Sequence, residues 1–215
     1  MEPESRVAQA RALVEAFEPV GVDQVAARSA TLALLERTGE PLGRQDGGHL
    51  TGSALVVDAA FERVLVLWHK KLAIWVQPGG HLDGDGDLAR SALREAVEET
   101  GIDGLRLAGL APVDLDVHRV APGDAAPHDH HDVRFVVVAP PGAEPVANAE
   151  ADRFRWLSLA EVEADPGCDL GLRRLARLGL AALAAPRDPS ALGVLGGPAG
   201  RLTQPAPPPR PGPRS

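Results

Sequence analysis

A glycine-rich loop running straight into an acidic helix constrains this chain more than any other feature. Gln77-Pro78-Gly79-Gly80-His81-Leu82 is followed by Asp83-Gly84-Asp85-Gly86-Asp87, then by a stretch carrying Arg94, Glu95, Glu98 and Glu99, and by Gly101-Ile102. Asp85 or Asp87 can cap the helix, because a short carboxylate accepts hydrogen bonds from the free N–H groups of the first turn. Gly101 suits the left-handed position just past a helix end, with Ile102 packing back. At roughly 100° per residue, Glu95, Glu98 and Glu99 share a narrow arc, while Leu93 and Val97 point the other way.

Carboxylates spaced four apart destabilise a helix by a few tenths of a kcal/mol. A divalent cation would offset that repulsion, and the negative C-terminal end of the helix dipole favours it. Hard oxygen donors select Mg²⁺ or Mn²⁺, ions that keep several waters and bridge to phosphates. The plain alternative is a solvated acidic face; the preceding Gly-Gly loop and the Arg-Glu start weigh against it.

Gly80 followed by Arg94-Glu95-Ala96-Val97-Glu98-Glu99-Thr100-Gly101-Ile102 resembles the Nudix box, G-x5-E-x7-R-E-U-x-E-E-x-G-U with U aliphatic. One position departs: the first glutamate of the box falls on Gly86, between Asp85 and Asp87. The resemblance implies an α/β fold, a Nudix-like α/β/α sandwich with a mixed β-sheet, carrying extra N-terminal helices and a disordered C-terminal tail. It implies hydrolysis of a pyrophosphate bond in a nucleoside diphosphate linked to another moiety. Glu98 and Glu99 would hold Mg²⁺ (or Mn²⁺) with the carbonyl of Gly79. Glu95 would be a further ligand or the general base, and Arg94 would orient it. A further acidic ligand from outside the box would be Glu150 or Asp152. Family members are often dimers, which leaves a homodimer open. Two rivals stand beside this reading: a nucleotide-binding or regulatory protein with catalysis weakened by Gly86, and an isoprenoid diphosphate isomerase, which would need a cleft cysteine that Cys168 is poorly placed to supply.

Composition bounds these expectations. With 215 residues and 44% hydrophobic content the chain can bury one sizeable core. Three segments are expected: a helical extension over 1–45, the hydrolase domain over 46–185 and a Pro/Gly-rich tail over 186–215. No apolar run is long enough to span a bilayer, and Met1-Glu2-Pro3-Glu4-Ser5 lacks the basic and apolar start of a signal peptide, so a cytoplasmic protein is expected. A net charge of -8 argues against nucleic-acid binding, which needs a basic surface. The single cysteine has no disulfide partner. There is no tyrosine, so Trp68, Trp75 and Trp156 are the candidates for stacking a base.

In chain order, Val7, Ala10, Leu13, Val14 and Phe17 recur at helical spacing, and Val22 to Leu35 reads as a second helix. Leu50–Val57 and Val64–Trp68 read as paired strands, and Ile74-Trp75-Val76 delivers the chain to the glycine loop. His69, Lys70 and Lys71 are either solvated loop charges or contacts to substrate phosphates; His49 and His81 are similarly open, His81 being the better candidate. Leu105–Val120 should hold one or two strands. In His128–Val138, period-2 alternation puts His128, His130, Asp132 and Arg134 on one side and Val133, Phe135 and Val137 on the other. The polar side should face water or line the cleft, with Asp132 and Arg134 either binding substrate or forming an ion pair. Alternate histidines can ligate Zn²⁺; without a cysteine or a nearby third histidine at helix spacing, zinc is disfavoured here. Phe154-Arg155-Trp156 reads as a strand, Ser158–Glu161 as a capping box, and Leu170–Ala184 as a covering helix. The composition from Pro186 onward predicts disorder.

Overall fold

The computed structural model describes residues 2–37, 41–43, 47–121, 126–148, 151 and 153–185. The tail expected from 186 onward, and Glu150 and Asp152, lie outside the described residues.

Two helices open the chain, α1 (Pro3–Ala16) and α2 (Val22–Glu36). Proline begins α1, where its missing N–H costs nothing. Ala10 and Val14 of α1 and Ala27, Leu34 and Leu35 of α2 are buried in a core shared with the sheet. Arg28 Nε donates to the carbonyl oxygen of Val14 at 3.1 Å and ties the two helices together.

The sheet then forms as the alternation predicts, from β1 (His49–Val57), β2 (Arg63–His69) and β3 (Ile74–Val76). The glycine stretch, expected as loop, is instead a short strand, β4 (Gly79–His81), antiparallel to β1 with Thr51 opposite His81, Gly52 opposite Gly80 and Ser53 opposite Gly79. Pairing gives the backbone groups of this stretch partners that an open loop would lack. The box helix, α3, spans Leu88–Thr100. After it come β5 (Arg106–Leu107), β6 (Asp114–Val120), β7 (His128–Val138), β8 (Phe154–Ser158), α4 (Leu159–Ala164) and α5 (Leu170–Ala184). Ser158 and Glu161 form the expected capping box at the start of α4.

The mixed sheet runs β3-β2-β1-β7-β5, with β4 on β1, β6 on β7 and β8 on β2. β1 and β7 are parallel from His49 opposite His130 to Val57 opposite Val138. β1 is buried throughout, because layers cover both of its faces. Leu50, Ala54 and Val56 join the core under α1, α2 and α3. Leu55 and Val57 join a second core with Leu172, Leu175 and Ala176 of α5, where Cys168 is also buried. Helix, sheet and helix layers therefore form the expected α/β/α sandwich.

One expectation about β7 is corrected. At Asp132 and Arg134 its polar side neither faces water nor lines an open cleft, the two being 2% and 4% exposed, whereas His130 is only partly buried. The reason is tertiary. β1 and β6 flank β7 with polar residues on the same face, so Asp132 and Arg134 find charged partners under the α5 layer.

Candidate active site

The box builds its site from short-range parts. Asp87 caps α3, its Oδ1 accepting from the Arg90 N–H at 3.0 Å; Asp85 instead accepts from the Asp87 N–H. Gly101 ends the helix at φ 64°, the left-handed conformation that glycine adopts without a side-chain clash. Ala92 and Ala96 seat the helix on the sheet, which leaves the Glu95, Glu98 and Glu99 side toward β4. Glu99 Oε2 accepts from the Gly79 N–H at 2.8 Å. A Cβ on Gly80 would overlap the Glu95 carboxylate, so a side chain there would push that carboxylate from its place.

Arg94 links these groups. Its Nη1 lies 2.7 Å from Glu95 Oε1 and 3.1 Å from Glu98 Oε2, and its Nη2 donates to the carbonyl oxygen of His81 at 2.9 Å. Burial, and next the charge of Glu98, raise the Glu95 pKa from its ordinary value against the pull of Arg94. Asn148, which the sequence reading passed over, donates from Nδ2 to the carbonyl oxygens of Glu98 (2.8 Å) and Glu99 (3.0 Å). It satisfies acceptors left open at the helix end; no local pattern marks it, since it reaches α3 from fifty residues downstream.

Gly86 acquires a reason. A Cβ there would lie 2.7 Å from Cα, Cβ and the carbonyl oxygen of Arg6, and the Arg6 guanidinium donates to the Gly84 carbonyl oxygen at 3.0 Å. α1 thus packs where the first glutamate of the box would project.

The other expected site residues are dispersed. Lys70 and Lys71 are exposed in the turn between β2 and β3, at the end of β3 away from the glycine strand. Trp75 is buried, and the Arg153 guanidinium lies over Trp68 at 4.6 Å. Trp156 lines a pocket of about 240 Å³ beside the turn after β1, not at the glutamates. The His81 ring turns away from Glu95 to lie 5.0 Å from the His49 ring.

Asp132 and Arg134 belong to a second polar assembly, a buried ion network. Arg134 reaches Asp132 (2.7 Å), Asp114 (3.1 Å) and Asp116 (3.0 Å), and Arg174 of α5 reaches Asp114 (3.1 Å) and Asp116 (2.7 Å). Asp132 Oδ1 also accepts from Thr51 (3.0 Å) and Ser53 (2.7 Å). Burial alone would raise the Asp132 pKa, but the Arg134 charge and these hydrogen bonds hold it below its ordinary value. Next to this network five imidazoles gather: His49, His81, His118, His128 and His130. Burial, then the neighbouring rings, push the His130 pKa down to about 3. The third histidine that the sequence reading missed is therefore present, supplied by other strands. Its signal was the run His49-x-Thr51-x-Ser53, polar at alternate positions of an otherwise apolar strand.

A helix carrying three carboxylates behind a glycine strand, set in a mixed sandwich, defines a class: phosphoanhydride hydrolases that work on a glycine loop and an acidic helix. The family model of the NUDIX domain matches residues 49–177, well over half of the 215 residues. The chain belongs to the NUDIX family and is a pyrophosphohydrolase of that type. Among solved structures it is similar to a NUDIX-family hydrolase from Clostridium perfringens, at 21% identity and TM-score 0.50, covering 63% of this chain and 97% of that one. It is also similar to the Caenorhabditis elegans Ap4A hydrolase (18%, 0.49, 63% and 97%) and to a Streptococcus suis ADP-ribose pyrophosphatase (21%, 0.42, 64% and 93%). No curated protein sequence matches the chain. Among the described residues no helix is long and apolar enough to cross a membrane.

Proposed function

We propose that this chain hydrolyses the pyrophosphate bond of a nucleoside diphosphate linked to another moiety, with Mg²⁺ or Mn²⁺ held by Glu98, Glu99 and the carbonyl of Gly79, and with Glu95 as a further ligand or as the general base. The supporting observation is that Glu95 packs against Gly80 and Glu99 accepts from the Gly79 N–H, while Arg94 ties Glu95 to Glu98. The donor set fits: all are hard oxygens, the kind that holds Mg²⁺ or Mn²⁺, and Glu95 and Glu98 lie side by side on Arg94. Bound there, the cation would neutralise charge on the phosphoryl oxygens and acidify a water.

The chain's own residues do the rest. Gly80 lets the strand lie against the Glu95 carboxylate, and the Gly79 N–H holds Glu99. Glu95, half-buried and raised in pKa, is suited to take a proton from the attacking water. Arg94 holds Glu95 and the His81 carbonyl together, so the base and the glycine strand keep their relative position. Lys70 and Lys71 remain candidates for the distal part of the substrate. The reading carries a small-molecule nucleotide derivative as partner and a cytoplasmic setting.

A second reading has one observation of its own. α1 fills the place of the first box glutamate at Gly86, which favours a binding protein with weakened catalysis. A panel of nucleoside triphosphates, nucleotide sugars, ADP-ribose and dinucleoside polyphosphates, assayed with Mg²⁺, Mn²⁺ or chelator, separates the two. Metal-dependent turnover that is absent in Glu99→Gln supports hydrolysis. An intact panel, with one compound raising the melting temperature, supports binding.

A further inference from the structure

We propose that His49, His81 and His130 form a second metal site, separate from the glutamates, that binds a borderline-soft transition-metal ion of the Zn²⁺ type. One ring nitrogen from each lies within 4.8 Å of the other two. Imidazole nitrogens bind Zn²⁺ at about 2.0–2.1 Å, which spaces tetrahedral ligands roughly 3.3–3.5 Å apart. Inward rotation of the rings by about 1 Å closes that gap.

The sheet assembles the trio. Register sets His49 beside His130 across β1 and β7, and His118 beside His130 across β6 and β7. His81 pairs with Thr51, two residues along β1 from His49, on the same face. Ligation requires neutral imidazoles, whose ring nitrogens hold the ion. His118 Nδ1 contacts Asp116 Oδ2 at 3.0 Å and His128 Nδ1 contacts the Ala126 carbonyl oxygen at 2.9 Å, so both rings beside the trio are oriented. The network of Asp114, Asp116, Asp132, Arg134 and Arg174 keeps its charges paired among themselves, leaving the ion to the imidazoles. His49 is buried, whereas His81 and His130 are only partly so, which gives an ion a way in. Three imidazoles leave the fourth position to a water, as in open zinc sites. Softer donors prefer Zn²⁺, Co²⁺ or Ni²⁺ over Mg²⁺, so the two centres would sort their ions by chemistry. Because the Arg94 guanidinium holds the His81 carbonyl, an ion on the His81 ring would also stiffen the glycine strand.

The site is tested by binding, independently of turnover. The full chain, stripped with chelator and kept in excess Mg²⁺, is titrated with Co²⁺ and then with Zn²⁺. One Co²⁺ per chain with a visible d–d band, displaced by Zn²⁺, is expected. His81→Gln and His130→Gln should each weaken binding by more than the roughly 10–100-fold that loss of an orienting partner costs. The Glu98→Gln/Glu99→Gln pair should keep the band. Circular dichroism and melting temperature of the metal-free proteins control for folding. Wild-type histidine NMR needs no variant: Zn²⁺ should shift the imidazole resonances of His49, His81 and His130. The proposal is overturned by an absent band, by a band that survives both histidine variants, by its loss in the glutamate pair, or by unmoved resonances of those three rings.

Discussion

The glutamate face of α3 and the histidine-aspartate-arginine face of β1, β6 and β7 both meet at β4, yet they handle charge in opposite ways. On α3, Glu95 and Glu98 share Arg94 and Glu99 accepts from the Gly79 N–H, so three carboxylates crowd one helix face. On the sheet, three aspartates meet two arginines in a buried network beside the histidine cluster. An excess of one sign calls for an outside cation; a network that nearly balances itself holds the fold together. The first centre comes from a continuous stretch of chain, whereas the second needs four strands and α5 in register.

Breaking the glutamate centre should alter chemistry and spare the fold. Glu98→Gln and Glu99→Gln are each expected to lower kcat on the preferred substrate by on the order of 10²–10⁴-fold, the range for loss of a group acting in the transition state, with an unchanged melting temperature. Full activity in both would remove the metal from these residues.

Breaking the sheet network should do the reverse. Arg134→Met leaves Asp114, Asp116 and Asp132 short of a buried partner and should cost about 3–5 kcal/mol in urea denaturation. A loss below about 1 kcal/mol would mean that water reaches the network and screens it.

The two centres also differ in acid. Partly buried His130 and buried His131 have folded pKa values below the ordinary 6.5, so their stability contribution is complete above about pH 6.5 and is lost as pH falls toward the folded values. Despite burial, which works the other way, Asp116 and Asp132 are held below the ordinary 3.8 by their cationic and hydrogen-bonding partners, so a second loss begins below about pH 4. Melting temperature in chelator should therefore fall in two stages on acidification. A curve flat from pH 7 to pH 4 would show that the histidines are not held neutral.

Gly86 tests the link between α1 and the box. Gly86→Ala places a Cβ against the Arg6 backbone and should destabilise by about 1–3 kcal/mol, as overpacking does; Gly86→Glu should do no less and restore no activity. A gain in kcat for Gly86→Glu would show that α1 yields to the side chain. The smallest effect should be Asp87→Ala, about 1 kcal/mol in thermal or urea unfolding from the lost cap; Asp85→Ala should be nearer neutral, because Asp85 does not bond the helix N-terminus.

How legible each region was follows from the range of its contacts. The box could be read from Gly79 to Ile102 because its determinants are neighbours: the Asp87 cap, the Gly101 stop and the glutamate arc depend on helical geometry within a few residues. The period-2 pattern of β7 likewise revealed which residues share a face, but not what covers that face. Strand alternation says nothing about the partner strand, so Asp132 and Arg134 stayed open between substrate contact and ion pair.

By itself, the sequence determined most of the helices and strands in their order and the acidic helix with its cap and stop, since periodicity, capping and turn chemistry act locally; the layered class followed from the resemblance of the box, and the glycine stretch read as loop. Only the tertiary structure decided that α1 fills the place beside Gly86, that Asn148 reaches back to the end of α3, and that five histidines from four strands converge. Those outcomes rest on register and packing between segments far apart in the chain, where no local preference selects one partner over another.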